Sequence, residues 1–493
     1  MKHAPMISDQ TDDIQGMLHS GFGRLTTSRF WLLTIRDGHE DQARAWLSKL
    51  VRCNLVVSAK CVSDCKKDKG TDIREAVAIA FSFSGLVKLG LKDTSKHPFP
   101  TPFRSGMGSA LRETLLRDGA RLGWRWSDVD GFVGRQTVHV LVAQWRLPDA
   151  EPQMPHPDPG TFCCVRTVEN HPNSFREPDG RLREPFGFRD GIAQPVMRGL
   201  SDEGGDDPKR ARQDAGALYE DRVVAPGEFV LGYRNEYDEL TYTPDVEHWA
   251  QSGRATHPGA RFTLNGSYLA VRQIEQDVAA FTALVKASPP LGGLGICEKL
   301  MGRSENGLPL SWKGDPNERV SNSKADAFRY RVEDANGFVC PKGAHIRRMN
   351  PRDSLGVDVA SSIKSSKLHR LLRRGRPYLE AAADKVERQG LFFIACNADL
   401  ERQFEFIHQR WMRNSRFGDL NHEDDPVVGS PMRRKKFTIP KLPTGDEISL
   451  ETLTKTLGGG YFFLPGIKAL EFIVGHGVVS DRLSATLTKP LES

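Results

Sequence analysis

The sequence lacks an apolar stretch long enough to cross a membrane, and its first residues are polar and acidic. A membrane helix needs roughly 18 or more apolar residues in a row, and a secretory signal needs an apolar segment close to its start. We therefore expect a cytoplasmic protein with no membrane partner. Dense basic blocks are also scarce and the net charge is only +6, so we expect no nucleic-acid partner.

Cysteine is similarly sparse, with eight residues in a chain of 493 and no C-x-x-C pair. This spacing gives no disulfide framework, so we expect reduced thiols. A metal site built from Cys53, Cys61 and Cys65 is an alternative that their spacing does not favour, because it matches no standard zinc pattern.

The chain is too long for one ordinary core, since single cores stop growing beyond about 250–300 residues. Apolar residues recur with the periods of strands and helices in alternation, which is typical of an α+β protein. The polar stretch 201–214 is predicted to be a linker or exposed loop, and it divides the chain into halves 1–215 and 216–493. Strands are predicted at residues 29–35, 76–83, 137–145, 227–232, 267–272, 390–395 and 461–464, and helices at 40–50, 84–89, 277–286 and 400–411.

The first candidate for chemistry is Asp190, in the motif Gly187-Phe-Arg-Asp-Gly191. The two glycines permit a tight turn and the close approach of a flat ligand. A carboxylate in such a turn is a candidate general acid or base. A plain surface turn is the alternative, because aspartate is a favoured turn residue.

The second candidate is His345, which is followed closely by Arg347, Arg348 and Arg352. A neutral imidazole is a good axial ligand for haem iron. Guanidinium groups bind carboxylates with two hydrogen bonds, so Arg347 is a candidate partner for a haem propionate. The alternative is a basic surface loop that holds no cofactor.

Two later segments complete the set. The segment 369–378, His-Arg-Leu-Leu-Arg-Arg-Gly-Arg-Pro-Tyr, is basic, and the segment 390–394, Gly-Leu-Phe-Phe-Ile, is apolar. Taken singly, the first segment indicates a solvated turn and the second a core strand. The two earlier motifs and these two segments, in this order along the chain, resemble the dye-decolourising peroxidase family. The resemblance extends to residues 226–237, 265–269, 403–407 and 459–463.

The resemblance implies a role for individual residues. Asp190 corresponds to the distal aspartate of the family and Arg373 to its distal arginine, although the adjacent Arg374 leaves the register open. His345 corresponds to the residue that ligates the haem iron. Asp425 is expected to accept the other N–H of this imidazole, which would make the ligand more basic.

Other residues of the haem pocket follow from the same resemblance. Leu391 and Phe393 correspond to the two apolar distal residues, which keep the pocket narrow. The loop next to this segment departs from the family pattern, because Leu379 and Glu380 stand where glycine is usual. The remaining residues implied to contact the haem are Gly187, Phe188, Gly191 and Arg347.

The implied fold is α+β, with two ferredoxin-like halves packed as a dimeric α+β barrel, antiparallel sheets and peripheral helices. The implied cofactor is one haem b per chain. Because the sequence has no C-x-x-C-H attachment motif, we expect this haem to be bound non-covalently. A homo-oligomer is compatible with the sequence.

The implied activity is a haem-dependent peroxidase, which reduces hydrogen peroxide and oxidises dyes, phenolics or similar bulky reductants by one-electron steps. Such a small-molecule reductant would donate its electrons at the haem edge or through aromatic residues, for which Trp249, Trp312 and Tyr330 are candidates. The alternative is a haem-binding protein that acts in haem iron release or carriage without peroxidase turnover. A haem carrier needs only His345, whereas Asp190 and Arg373 are needed for the reaction with peroxide.

Overall fold

The computed structural model describes residues 6–67, 72–92, 96–118, 123–130, 136–170, 175, 181–200, 208–251, 254–256, 258, 262–288, 295–381, 387–429, 435–441 and 445–475. Within these ranges, helices surround one large and mainly antiparallel sheet. The strands are β1 (Thr27–Ile35), β2 (Glu75–Phe81), β3 (Leu91–Lys92), β4 (Trp126–Ser127), β5 (Gln136–Thr137), β6 (Val140–Arg146), β7 (Phe162–Asn170), β8 (Val196–Met197), β9 (Val223–Val224), β10 (His248–Gln251), β11 (Arg254–Thr256), β12 (Ser267–Gln276), β13 (Leu372–Arg373), β14 (Arg376–Ala381), β15 (Glu387–Asn397), β16 (Lys435–Ile439), β17 (Asp446–Leu450) and β18 (Thr454–Leu464).

The helices lie between and around these strands. They are α1 (Glu40–Arg52), α2 (Ala59–Lys67), α3 (Phe83–Lys88), α4 (Thr101–Ser105), α5 (Ala110–Leu116), α6 (Pro208–Ala215), α7 (Val278–Ala287), α8 (Ile296–Met301), α9 (Asn322–Ala325), α10 (Tyr330–Asp334), α11 (His345–Met349), α12 (Val359–Lys367) and α13 (Ile467–Ile473). A further helical segment of wide π-type turns covers Glu401–Glu405 and Ile407–Met412, and short 3₁₀ turns occur at Ile7–Gln10, Gly16–Leu18, Gly216–Leu218, Pro226–Glu228 and Phe417–Asp419.

The strand order of the large sheet is β13-β15-β12-β18-β2-β6-β1-β7, and β14 pairs with β15. Strands from before residue 215 form one side of the sheet and strands from after it form the other. The two sides meet at β18, which pairs with β2 through Phe463 and Phe81 and with the short strand β4. The α+β class that the sequence predicts is thus confirmed, whereas the division of the chain at residue 215 stays a prediction.

Both faces of the central part of the sheet are buried, which explains the continuous apolar runs in strands such as β2 and β6. In β1, Leu33 packs in one hydrophobic cluster with Ile79 and Val142. The neighbouring Leu32 packs in a second cluster on the other face with Leu141. Successive side chains of a strand point to opposite faces, so continuous apolar runs are needed here in place of alternating ones.

The sheet curls until its last strands lie side by side. Strand β14 lies against β7, and the Arg166 guanidinium of β7 donates to both carboxylate oxygens of Glu380 in β14. Among the strand pairs that the structure describes, backbone pairing does not join these two strands. Leu379 and Glu380, which depart from the family pattern, therefore belong to a regular strand whose acidic residue contacts the other side of the sheet.

Two of the predicted elements are wrong. Residues 227–232 are not a strand, because Pro226 starts a 3₁₀ turn and the Val230 N–H bonds back to the Pro226 carbonyl at 2.9 Å. The run Phe229-Val-Leu231 is apolar because it is fully buried, and a short apolar run alone does not distinguish a buried strand from a buried turn.

The linker prediction at 201–214 is also wrong in its second part, while residues 201–207 lie outside the described residues. Helix α6 begins at Pro208, a residue favoured in the first turn of a helix. Ala211 and Ala215, one turn apart, are buried in a cluster with Tyr219.

None of the helices in the described residues is long and apolar enough to span a membrane. The His, Cys, Asp and Glu side chains of these residues form no group of three or more that could hold a metal ion.

A buried ion cluster stabilises the region around Asp326. The Asp326 carboxylate is fully buried and bonds to Arg303 at 2.9 Å and to Arg352, and it pairs with Arg222 at 3.2 Å. Burial raises the pKa of Asp326, but the surrounding guanidinium charges outweigh that effect and hold this pKa below its usual range. The carboxylate therefore stays ionised among its cationic partners.

We expect Asp326→Asn to lower the free energy of unfolding by about 3–5 kcal/mol, because it leaves buried arginines without their counter-charge. The loss should shrink at low pH, since a carboxylate with a lowered pKa stabilises the fold at neutral pH and ceases to do so as the pH falls through that pKa. Denaturant unfolding at several pH values measures both effects. Asp149→Asn, in an exposed pair with Arg74, is the control and should change stability by less than about 1 kcal/mol. Equal losses for the two variants would contradict the assignment.

Candidate active site

A cavity of about 1160 Å³ lies between β12, β15, α11 and the helical segment 401–412. This volume exceeds the range of about 300–1,000 Å³ that is usual for small-molecule sites. Most of its wall is apolar, and the side chains that form this apolar part include Ile192, Met301, Ile346, Met349, Leu371, Leu391, Phe393, Phe404, Ile407, Met412, Val427 and Leu453.

His345 is the first residue of α11 and lines this cavity. Its Nδ1 lies 2.9 Å from Oδ2 of Asp425, which is completely buried. A carboxylate can only accept here, so we assign the proton to Nδ1. The assignment leaves Nε2 as the nitrogen with a lone pair, available to a ligand in the cavity.

Asp425 is held as an anion by its surroundings. Its Oδ1 accepts the backbone N–H groups of Val427 at 2.9 Å and Val428 at 2.8 Å. Burial raises the pKa of Asp425, but its interaction with His345, together with the Val428 N–H and the charge of Arg348, overcomes this effect and leaves the pKa below its usual value. A permanently ionised partner makes the imidazole a stronger electron donor.

Asp190 lies in a tight loop that brings its side chain to the same cavity. Gly187 has φ of +97° and Gly191 has φ of +82°, a conformation that residues with a Cβ adopt only with strain. The Asp190 Oδ1 accepts the Gly191 N–H at 2.6 Å. Phe188 and Gly191 also line the cavity, whereas Gly187 does not and serves the shape of the loop.

Arg373 reaches the cavity from β13. Its backbone N–H donates to Oε1 of Gln194 at 3.0 Å, which ties β13 to the segment that follows Asp190. In the part of the chain that the structure describes, its guanidinium makes no hydrogen bond or ion pair, although the residue is half-buried. Arg374 instead donates to the Met17 and Leu18 carbonyls and is absent from the cavity wall. The geometry therefore favours Arg373 over Arg374 as the cavity residue.

Leu391 and Phe393 reach the cavity because β15 alternates. Both line it, while the intervening Phe392 is fully buried in the core on the other face of the sheet. Because successive side chains of a strand point to opposite faces, Leu391 and Phe393 face the cavity and Phe392 faces the core.

Arg347, like Gly187, is a predicted haem contact that the structure does not bring to the cavity. Its guanidinium is buried and donates to the Cys340 carbonyl at 2.7 Å and the Asp334 carbonyl at 3.1 Å. On α11, His345 and Met349 are four residues apart and share the cavity face, so a residue two positions after His345 points elsewhere. The expectation of a propionate partner at Arg347 needs correction, since these bonds make it a structural anchor.

Known proteins resemble this chain throughout its length. The family profile described as Dyp-type peroxidase, C-terminal, matches residues 241–432. The dye-decolorizing peroxidase msp1 of Mycetinis scorodonius is 25% identical over 433 residues, which are 81% of this chain and 76% of that protein. The multifunctional dye peroxidase DyP2 of Amycolatopsis sp. is 31% identical over 232 residues, 42% of this chain and 48% of that protein.

Solved structures share the fold. The DyP-type peroxidase of Anabaena sp. superimposes with a TM-score of 0.72 at 22% identity, covering 94% of this chain and 95% of that one. A dye-decolorizing peroxidase in complex with 2,6-dimethoxyphenol gives a TM-score of 0.65 at 22% identity, with 94% and 99% covered. The family profile, the named relatives and the solved structures all point to the dye-decolourising peroxidase family.

Members of the dye-decolourising peroxidase family are haem peroxidases, and the cavity fits a haem. A porphyrin needs an apolar slot, a nitrogen ligand for iron and compensation for two propionates. Eight cationic side chains and five carboxylates line the cavity: Arg189, Arg272, Arg303, Arg370, Arg373, Arg388, Arg413 and Lys455 against Asp118, Glu184, Asp190, Glu275 and Asp277. The excess of positive charge suits a dianionic ligand.

Several of these residues were missed in the sequence. Among the described residues, the buried Nδ2 of Asn350 has no hydrogen-bond partner, and Asn350 lines the same cavity as Arg303 and Arg370. Arg189 and Arg370 stand beside the predicted Asp190 and Arg373, which is the only signal the sequence offered for them. Trp249, Trp312 and Tyr330, the candidate relays, are not among the residues of the cavity wall.

Glu184 is a further residue that the motif did not reveal. Its carboxylate accepts the backbone N–H groups of Phe186 at 3.0 Å and Phe188 at 2.9 Å, and so it closes the loop that leads to Asp190. Burial raises the pKa of Glu184, and the nearby charge of Asp190 adds to the rise.

We expect Asp425→Asn to raise the reduction potential of the haem iron, because a neutral partner makes His345 a weaker donor and destabilises the ferric state. Spectroelectrochemical titration of the purified holoprotein measures the change. Asp424→Asn removes a neighbouring carboxylate that does not bond to His345 and should leave the potential close to that of the wild type. An unchanged potential in Asp425→Asn would contradict the role of this hydrogen bond.

Proposed function

We propose that this chain binds one haem b non-covalently through His345 and uses Asp190 and Arg373 to reduce hydrogen peroxide. The oxidising equivalents would then be passed to dyes, phenolics or similar bulky reductants in one-electron steps. One observation carries the proposal. An imidazole that bonds to Asp425, a loop carboxylate and a guanidinium without a bonding partner among the described residues all line one cavity.

The haem would supply the redox-active iron to which the peroxide binds. Asp190 takes a proton from the inner peroxide oxygen and returns it to the outer oxygen, which then leaves as water. Arg373 holds a fixed positive charge for the oxygen that becomes negative during cleavage. Because no described residue bonds to its guanidinium, that charge stays available in the cavity.

The apolar residues around these two groups control access. Leu391 and Phe393 narrow and dry the pocket, which strengthens the interaction of Arg373 with a developing negative charge. Bulky dyes do not fit beside these side chains, so their electrons would have to enter from the edge of the haem or through the protein. A small phenol is the reductant class we propose, since a relative binds 2,6-dimethoxyphenol.

Haem carriage or iron release without turnover is the alternative. A carrier requires the ligand His345, but it needs neither the carboxylate of Asp190 nor the guanidinium of Arg373 in the same cavity. The combination of Asp190 and Arg373 therefore favours a peroxidase.

The ligand assignment is tested with two histidine variants. His345→Gln should lose most of the haem, because glutamine provides no imidazole for the iron. His408 also lines the cavity, but its Nε2 is engaged by Nη1 of Arg272 at 3.1 Å, so His408→Gln should keep a Soret band. The ratio of Soret to protein absorbance in purified samples measures occupancy. Loss of haem in His408→Gln with retention in His345→Gln would reverse the assignment.

The role of Asp190 is tested by stopped-flow mixing of the holoprotein with peroxide. Asp190→Asn should slow the peroxide-dependent Soret change by about 10²–10⁴-fold, the usual contribution of a general acid–base group. Glu275→Gln, which changes another carboxylate of the cavity wall, should react at the wild-type rate. A rate in Asp190→Asn equal to that in Glu275→Gln would refute the assignment.

A further inference from the structure

Tyr461 in β18 combines complete burial with an acidic hydrogen-bond partner. Its hydroxyl donates to Oε1 of Glu405 at 2.7 Å, and both residues are buried. The backbone N–H of Tyr461 donates to Oδ2 of Asp128 at 2.7 Å. The ring and its hydroxyl are therefore held in one position against the carboxylate.

Glu405 is equipped to exchange a proton with this tyrosine. The buried Arg112 guanidinium lies 3.0 Å from the same Oε1 and offsets the cost of a buried negative charge. Burial raises the pKa of Glu405, which increases its affinity for a proton. Burial and the charge of Glu405 raise the pKa of Tyr461 well above its ordinary value, so the phenol stays neutral and does not ionise by itself.

The pair lies directly behind the wall of the haem cavity. Phe404 lines the cavity, and its ring centroid is 6.2 Å from that of Tyr461 and 6.3 Å from that of Phe393. One aromatic ring thus separates the tyrosine from the space where the cofactor would bind. Electron transfer over so short a path through packed protein is fast compared with enzyme turnover.

Tyr268 in the neighbouring strand β12 shows what is special about Tyr461. It is also fully buried and belongs to the same hydrophobic cluster. Within the described residues, however, its hydroxyl has no hydrogen-bond partner. Removing an electron from a phenol makes its proton strongly acidic, so oxidation in a buried place requires an acceptor for that proton, which only Tyr461 of these two possesses.

We propose that Tyr461 is a redox-active residue, which gives one electron to the peroxide-oxidised haem while its phenolic proton moves to Glu405. The products are a haem centre reduced by one electron, a neutral tyrosyl radical and a protonated Glu405. A phenolic reductant later gives one electron and releases its own proton to water, becoming a phenoxyl radical. The electron restores Tyr461 as the proton on Glu405 returns to the Tyr461 oxygen. This inference rests on the proposed peroxidase function and adds a site where an oxidising equivalent is held.

Such a site matters because oxidisable side chains surround the cofactor. Met301, Met349 and Met412 line the cavity, and thioethers are converted to sulfoxides by strong oxidants. When reductant is scarce, transfer of the oxidising equivalent to Tyr461 spares these residues, because the radical is formed one ring away and can be reduced again.

The experiment compares the wild-type holoprotein with Tyr461→Phe and the matched control Tyr268→Phe. Each is mixed with one equivalent of hydrogen peroxide without reductant, frozen and examined by electron paramagnetic resonance, with ring-deuterated tyrosine to identify the radical. In parallel, peptide mass spectrometry measures sulfoxide at the three cavity methionines. Soret absorbance and thermal unfolding establish that each variant binds haem and folds.

The expected result is a tyrosyl signal in the wild type and in Tyr268→Phe that is mostly lost in Tyr461→Phe, with more methionine sulfoxide in that variant. Glu405→Gln should lose most of the signal as well, because an amide oxygen still accepts the hydrogen bond but does not take up the proton. Glu401→Gln, which removes another carboxylate bonded to Arg112, should retain it.

Two results overturn the proposal in different ways. A wild type whose Soret band responds to peroxide, but whose radical signal persists in Tyr461→Phe or disappears equally in Tyr268→Phe, removes the role of Tyr461 and leaves the peroxidase function intact. A wild type whose Soret band does not respond to peroxide removes both.

Discussion

The hydrogen bond between His345 and Asp425 joins segments that are 80 residues apart and determines what the cavity can do. It orients the imidazole, fixes the proton on Nδ1 and leaves Nε2 for iron. The bond depends in turn on support around Asp425, from two backbone N–H groups and from Arg348, which donates to the Glu423 carbonyl at 2.6 Å and the Trp411 carbonyl at 2.8 Å. Without this scaffold, a completely buried carboxylate would not stay ionised.

Much of the architecture could be predicted from the sequence where one local rule decides the outcome. The apolar runs of β1, β12 and β15 were recognisable because a sheet buried on both faces demands them. Alternation along β15 also separates Leu391 and Phe393 from the core residue Phe392. The pair of glycines around Asp190 was informative for a similar reason, since positive φ at Gly187 and Gly191 is a requirement of the backbone itself.

Features set by distant contacts could not be predicted in this way. Arginine is equally able to bind a propionate or to satisfy buried carbonyl groups, and only the position of Arg347 on the far side of α11 from the cavity decides between these uses. The apolar residues 229–231 form a buried turn and not a strand, because the side chains that cover them come from other parts of the chain. Asn350 and Arg370 belong to the cavity through packing that leaves no local signal. The resemblance to a family supplied Asp425, which spacing alone did not identify.

The curled sheet has a consequence for how the chain holds together. Its two sides touch at the β18 and β2 pairing and again at β7 and β14, where Arg166 grips Glu380. Each side therefore covers strand edges of the other side that would otherwise be exposed to water. At the second junction, Gln273 of β12 also donates a hydrogen bond to Glu380. If a protease cleaved the backbone between the two sides, the two fragments would remain bound to each other. The cleaved protein would therefore still unfold as a single cooperative unit.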